Sequence, residues 1–325
     1  MITRRATLIG SLAGAVTAQT LVPRVTGETM LLPDPTETID LWPGDAPGLP
    51  SPPPQERTVE RSIDPRRPDR AVTGITRPRL VVFRPARANG SALLVAPGGG
   101  YARVVVDKEG FEMGRLLSAR GWTVFVLFYR LPGEGWADRA DVALADAQRA
   151  MRLIRARAGH YGIEPARVGA MGFSAGGHVC ADLATRHAAS VYRLIDAADA
   201  LPAKPLAAAP IYAVQAMDPA LAHPGSRELL LGPNPSADVV RAHSPAANVT
   251  AATPPIFMVH AEDDRTVPPA NSVVFREACK AAGVPVELHL FAEGGHGFGV
   301  RGAAGKPVAL WPALFAAWAK TYGLG

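Results

Sequence analysis

Val168-Gly169-Ala170-Met171-Gly172-Phe173-Ser174-Ala175-Gly176-Gly177-His178 decides the fold. Residues that suit a buried strand run straight into Gly-x-Ser-x-Gly, and a helix-forming stretch from His178 to Arg186 follows. Glycines flanking the serine permit a turn too tight for side chains, which lifts the Ser174 hydroxyl above the strand end. The bland alternative is a glycine turn that only packs helix on strand. The strand–turn–helix context favours an accessible nucleophile.

Working outward, short apolar runs at Leu80-Phe83, Ala92-Ala96, Thr123-Tyr129, Ala207-Tyr212, Ile256-His260 and Val286-Phe291 have the length and β-branched content of buried strands. Helices are expected over about Lys108 to Arg120, with Asp107 as a cap and Gly121 as its stop, and over about Arg139 to Ala158. In the second of these, Leu144, Ala147, Met151, Ile154 and Ala158 fall on one stripe. Further helices are expected near Ser272-Ala282 and Trp311-Tyr322. Strands alternating with helices in this way predict an α/β fold with a mostly parallel central sheet covered by helices on both faces. The longest interruption, about 217–255, contains Ser226-Leu231 and a possible helix after Pro235, and is expected to form a small flap over the sheet.

A serine at its ordinary pKa needs a base, and the base needs an acid to orient it. On an elbow of this kind the chain order is Ser, then Asp or Glu, then His. Of the eight histidines, His160, His178, His187, His223 and His243 precede any acid-bearing strand end, His260 ends a strand, and His289 lies inside one. His296 stands in Glu293-Gly294-Gly295-His296-Gly297-Phe298-Gly299, a glycine-rich loop beyond the last strand, and is the candidate base. The acid is expected in His260-Ala261-Glu262-Asp263-Asp264-Arg265-Thr266-Val267-Pro268, where residues alone leave Glu262, Asp263 and Asp264 open. Pro97-Gly98-Gly99-Gly100-Tyr101 follows the strand Ala92-Ala96 and can turn N–H groups toward a developing negative charge, with the Ala175 N–H as a further donor. A phosphate loop is excluded, because no Gly-Lys-Ser/Thr follows.

These stretches occur in order with Leu41-Trp42-Pro43-Gly44, Lys108-Glu109-Gly110, Tyr129-Arg130-Leu131 and Asp146-Ala147-Gln148-Arg149-Ala150. Together they resemble the bacterial α/β-hydrolase serine esterases of the acetyl xylan esterase and carbohydrate esterase type, over about residues 40 to 320. The resemblance implies Ser174 as nucleophile, His296 as base, and the N–H groups of Gly99, Gly100 and Ala175 as oxyanion donors. In such hydrolases the acid is followed by two residues, a valine and often a proline, which selects Asp264 over Asp263 and Glu262. It also implies a serine carboxylic ester hydrolase acting on short acyl esters, acetyl above all, of small or oligomeric carbohydrates, with no cofactor and no metal. Tyr101 is expected to touch substrate. Asp107-Lys108-Glu109 and Asp146 are expected as helix caps, ion pairs and packing features. A general carboxylesterase or lipase-like enzyme, a prolyl-oligopeptidase-like peptidase, and a non-catalytic binding protein on the same scaffold are the alternatives.

The remaining features bound this reading. The 325 residues are 48% hydrophobic and 19% charged, enough for one large domain. The formal charge of +5 comes from scattered arginines without interleaved aromatics, which disfavours a nucleic-acid partner. Thr3-Arg4-Arg5 before a moderately apolar run to about Ala18 reads as an export signal, by the twin-arginine route, placing the mature chain in the periplasm or outside the cell. That run is too weakly apolar for a stable membrane span. The expected organisation is 1–18 signal, 19–70 a loosely wrapped proline-rich arm with one short strand near Thr38-Leu41, and 71–325 the catalytic domain. Cys180 and Cys279, the two cysteines, are expected as buried thiols. No His-x-x-x-His or Cys-x-x-Cys metal pattern occurs.

Overall fold

The computed structural model describes residues 34–325, so the expected signal segment and the start of the arm lie outside the described residues. Where the sequence offers unbroken apolar runs, the chain forms strands buried along their whole length: Ala92–Ala96, Thr123–Phe128, Val168–Phe173 and Ile256–Ala261. In chain order the strands are β1 (Thr38–Asp40), β2 (Arg57–Glu60), β3 (Arg70–Thr73), β4 (Arg79–Phe83), β5 (Ala92–Ala96), β6 (Val104–Val105) and β7 (Thr123–Phe128). They continue with β8 (Val168–Phe173), β9 (Ala208–Ile211), β10 (Ile256–Ala261) and β11 (Val286–Phe291). The helices are α1 (Glu112–Ser118), α2 (Val142–Ala156), α3 (Ala158–Tyr161), α4 (Ala175–Arg186), α5 (Pro224–Leu231), α6 (Ala237–Ala242), α7 (Ala270–Ala281) and α8 (Trp311–Thr321).

Eight strands form one sheet in the order β1-β4-β7-β5-β8-β9-β10-β11. Only β4 runs against its neighbours, β1 and β7. All other pairings are parallel. From β5 the chain crosses outward to β7 and then returns to the opposite side as β8, so the strand order reverses between β5 and β8. A crevice opens beyond the C-terminal ends of strands at such a reversal, and this is where an open α/β sheet holds its ligands. The glycine loop after β5 and Ser174 after β8 both lie there.

Helix α2 shows how far one stripe can be trusted. Its stripe residues Leu144, Ala147, Met151 and Ile154 are buried as expected, but so are Asp146, Gln148 and Arg149 on the other side. Asp146 pairs with Arg130 at 2.8 Å and accepts the Trp42 indole N–H at 2.9 Å. Arg149 donates to the Leu41 carbonyl at 2.8 Å and pairs with Asp196 and Asp199. Polar side chains here face protein that covers the helix from outside.

Three elements differ from expectation. Residues 34–70 contain the expected strand near Thr38-Leu41 as β1, but are not loosely wrapped: β1 joins the main sheet, Leu41 and Trp42 are buried, and β2, β3 and β6 form a second, three-stranded sheet. The strand β2 is exposed at every residue, so it leaves no hydrophobic pattern to read. Asp107 caps no helix. Residues Asp107–Phe111 make a π-helical turn ahead of α1, and the Asp107 carboxylate instead takes the Arg70 guanidinium at 2.6 and 2.9 Å. The expected helix at His178 begins at Ala175, directly after the serine. The interruption at 217–255 holds α5, started by a His223 side chain that accepts the Ser226 N–H, and α6, capped by Ser236. Cys180 and Cys279 are buried free thiols. Among the described residues no helix is long and apolar enough to cross a membrane.

Candidate active site

The turn after β8 is forced by crowding. A Cβ on Gly172 would stand 2.0 Å from the Gly176 carbonyl oxygen, and one on Gly176 would stand 2.2 Å from that of Ala96. Only glycine fits either place. Ser174 between them has φ 52° and ψ −117°, a conformation that L side chains rarely adopt and that surrounding structure must impose. Its N–H donates to the Ile211 carbonyl at 3.0 Å, and its own carbonyl accepts the His178 N–H at 3.0 Å. The hydroxyl is thus held at the mouth of the crevice.

The Ser174 Oγ lies 2.8 Å from His296 Nε2, and His296 Nδ1 lies 2.7 Å from Asp264 Oδ2. A carboxylate only accepts, so Nδ1 carries the proton and Nε2 is left to accept the serine hydroxyl. Asp264 Oδ1 takes the N–H groups of Thr266 and Val267 at 2.8 and 2.9 Å. Burial alone would push the Asp264 carboxyl up. Hydrogen bonds from His260 and His296, and the charge His296 can carry, outweigh it and hold the group well below the ordinary carboxylate range. It stays ionised where an imidazolium forms. The structure therefore brings Ser174, Asp264 and His296 together, and it leaves Glu262 outside the contact.

Asp263 has another task. Its Oδ1 accepts the N–H groups of Gly294 and Gly295 at 2.9 and 2.7 Å, which fastens the loop that carries His296. His260 also enters the site. Its Nε2 faces two acceptors, Asp264 Oδ2 at 3.1 Å and the Val267 carbonyl at 3.0 Å, so Nε2 bears a proton. The opposite nitrogen lies 2.8 Å from Ser272 Oγ. Asp264 Oδ2 thus sits between two imidazoles.

The loop after β5 turns back on itself, with the Gly99 carbonyl accepting the Ala102 N–H and the Gly98 carbonyl accepting that of Val105. Gly99 and Gly100 have φ of 135° and 66°, both in the region that favours glycine. They line a cleft of about 350 Å³ together with Ser174, His296, and His223 and Leu229 of the 217–255 segment. Ala175 is buried at the first position of α4, where a helix N–H has no intrahelical acceptor.

Tyr101 is not brought into the cleft. Its side chain is 2% exposed and its hydroxyl lies 2.6 Å from His178 Nδ1, behind the loop. Its backbone is left-handed, with φ of 61°. His178 donates from Nε2 to the His243 carbonyl at 2.8 Å, so its Nδ1 accepts the tyrosine proton. Burial pushes its pKa down to about 4 against the pull of that carbonyl bond. It is a neutral structural link. His260, expected at the end of the strand that leads into the acids, hydrogen-bonds Asp264 only four residues on. The task of Asp263 escaped the sequence reading because it acts on Gly294 and Gly295, distant in the chain. Among the described residues no three His, Cys, Asp or Glu side chains are placed to share a metal ion.

Against this geometry, similarity to known proteins is specific. An acetylxylan esterase of Xylanibacter ruminicola is 31% identical over 233 residues, 68% of this chain and 44% of that protein. Endo-1,4-beta-xylanase B of Butyrivibrio fibrisolvens is 33% identical over 208 residues, 64% of this chain and 32% of that protein. The chain thus spans less than half the length of these curated relatives. Among solved structures, an acetyl ester-xyloside bifunctional hydrolase from Caldicellulosiruptor lactoaceticus superposes with a TM-score of 0.71 at 30% identity, covering 91% of this chain and 99% of that one. A thermophilic esterase from Thermogutta terrifontis, at 23% identity and a TM-score of 0.62, covers 84% of this chain and 95% of that one and shares the fold. The fold is that of the α/β-hydrolases. Residues 82–279, from β4 through most of α7, match the BD-FAE family, and the chain belongs to it.

Proposed function

We propose that this protein is a serine esterase that removes short acyl groups, acetyl above all, from carbohydrate hydroxyls. The observation that carries the reading is the line of hydrogen bonds Ser174–His296–Asp264, at 2.8 and 2.7 Å, opening on a cleft walled by Gly99 and Gly100. The carbohydrate part is supported by similarity to an acetylxylan esterase and to an acetyl ester-xyloside hydrolase.

In this mechanism Ser174 Oγ attacks the ester carbonyl carbon as its proton passes to His296 Nε2. The carbonyl oxygen becomes an oxyanion and is held by the N–H groups of Gly99, Gly100 and Ala175. Asp264 balances the imidazolium. The bond to the sugar oxygen then breaks, His296 Nε2 returns its proton to that oxygen, and the acyl group stays on Ser174. Water then attacks the acyl carbon as its proton passes to the same nitrogen. The bond from that carbon to Ser174 Oγ breaks as His296 Nε2 returns the proton to Oγ, releasing the carboxylic acid.

A fluorophosphonate should form a covalent adduct on Ser174 and none in Ser174→Ala, read by mass spectrometry of the peptide. Acetate should be released from acetylated xylan or its oligosaccharides by the unaltered protein only. Absence of an adduct on folded protein would sink the mechanism. An adduct with hydrolysis of a chromogenic acetate, but no acetate from any acetylated carbohydrate, would sink the substrate class.

A further inference from the structure

Two buried groups that the acyl-transfer steps leave unused join separate loops of the site. The Glu109 carboxylate is 3% exposed. Its Oε2 accepts the Gly98 N–H at 2.9 Å, and its Oε1 accepts the Tyr212 hydroxyl at 2.8 Å. The Tyr212 oxygen in turn accepts the Gly299 N–H at 3.1 Å. Gly98 opens the glycine loop that carries the oxyanion donors, and Gly299 ends the loop that carries His296. A continuous chain of hydrogen bonds therefore runs from one loop to the other through Glu109 and Tyr212.

Both residues crowd the reacting groups: Glu109 stands in the wall of the cleft beside Ser174 and His296, and Tyr212 lies behind it. A Cβ on Gly98 would lie 2.7 Å from Glu109 Oε2 and 3.0 Å from Ser174 Cβ, and one on Gly297 would lie 3.6 Å from Glu109 Oε1. The Tyr212 ring stands edge-on to His296 at 5.3 Å and to Phe298 at 4.5 Å between centroids. Its φ of 37° is another conformation that non-glycine residues rarely adopt, which the packing around the hydroxyl and ring must hold in place. Burial raises the Tyr212 hydroxyl well above its ordinary range, so it stays a donor to Glu109. Because Glu109 Oε2 takes the Gly98 N–H, that group is not one of the oxyanion donors.

The physical need is clear. Oxyanion donors and base both stand on glycine-rich loops, which have little stiffness of their own. Transition-state stabilisation requires them within a fraction of an ångström of one geometry while a proton and a negative charge change places. A buried, fully satisfied polar network supplies that rigidity.

We propose that Glu109 and Tyr212 are positioning residues that lock the oxyanion loop to the His296 loop, setting the spacing between donors and base. The inference rests on the esterase reading above. Its test uses Tyr212→Phe, which removes one oxygen and keeps the ring, Glu109→Gln, which removes the charge at constant shape, and the double variant. Each is assayed for kcat and KM on a chromogenic acetate, for the rate of fluorophosphonate labelling at Ser174, and for thermal unfolding. Each single change should lower kcat and labelling rate by about ten-fold or more while KM moves by less than about two-fold. The double variant should be no worse than the poorer single one, because either cut opens the same chain.

A fall in unfolding temperature with unchanged kcat and labelling would overturn the proposal, as would losses that multiply in the double variant. Should Glu109→Gln fail to fold, Tyr212→Phe alone decides by its kcat and labelling rate. If the unaltered protein neither labels nor turns over, the esterase reading falls and takes the inference with it. If it does both and the variants match it, only the inference falls.

Discussion

Two adjacent aspartates divide the work of one loop. Asp264 Oδ2 receives His296, whereas Asp263 Oδ1 holds the backbone that carries His296. Asp264→Asn should lower kcat on a chromogenic acetate by about 10³- to 10⁴-fold, since the amide can present its nitrogen to His296 and favour the wrong tautomer. Thermal unfolding should change little. Asp263→Asn keeps an oxygen for both glycine N–H groups and should cost no more than about ten-fold. An equal loss in the two variants would reverse these assignments. The resemblance to the esterases made the first role legible, because in them the acid keeps the frame seen in Asp264-Arg265-Thr266-Val267-Pro268. The second was illegible, because a carboxylate that accepts backbone N–H groups across a chain crossing leaves no pattern. Tyr101 misled for a related reason: its hydroxyl is taken by His178, 77 residues away in the chain, and residue type does not report such a partner.

At the scale of elements, α2 carries a polar knot between the sheet and the N-terminal segment. Asp146 meets Arg130, just beyond β7, and Trp42, just beyond β1, with no side-chain exposure. Removing one partner of a buried pair leaves the other charge uncompensated, so Asp146→Ala should lose about 3–5 kcal/mol in urea unfolding. Glu164→Ala cuts an exposed pair with Arg167 and should lose less than about 1 kcal/mol. A small loss at Asp146 would mean that the knot is solvated or replaceable. The period of α2 revealed the stripe that faces the sheet. It could not reveal that the polar side is covered too, since burial of paired charges looks like solvent exposure in sequence. The hairpin of β2 and β3 was missed for a different reason, its first strand being short, charged and exposed in fact. Buried strands of the main sheet were legible because apolar runs of strand length have few other uses.

At the scale of the whole molecule, acid should weaken the fold. His178 is neutral in the folded protein, its pKa pushed down to about 4 by burial. In the unfolded chain the same imidazole takes its proton near the ordinary value of about 6.5. Between these limits the unfolded state binds a proton that the folded state refuses. Stability is therefore complete above about pH 6.5 and is lost as pH falls toward 4, by roughly 3 kcal/mol at most from this group. Burial lowers His187, His223 and His243 as well, so they act in the same direction. Urea midpoints should drop between pH 7 and 4.5, and drop less in His178→Gln. Parallel drops in the two proteins would remove His178 from the account.

The two thiols have a consequence for how the molecule is made. Cys180 and Cys279 are unpaired, and burial pushes both up to about 12, so neither is a thiolate near neutrality. No bond in the native chain waits for an oxidant, and neither sulfur is poised to capture one. Folding can finish in a reducing compartment, and the finished enzyme can work in an oxidising one without change to its covalent structure.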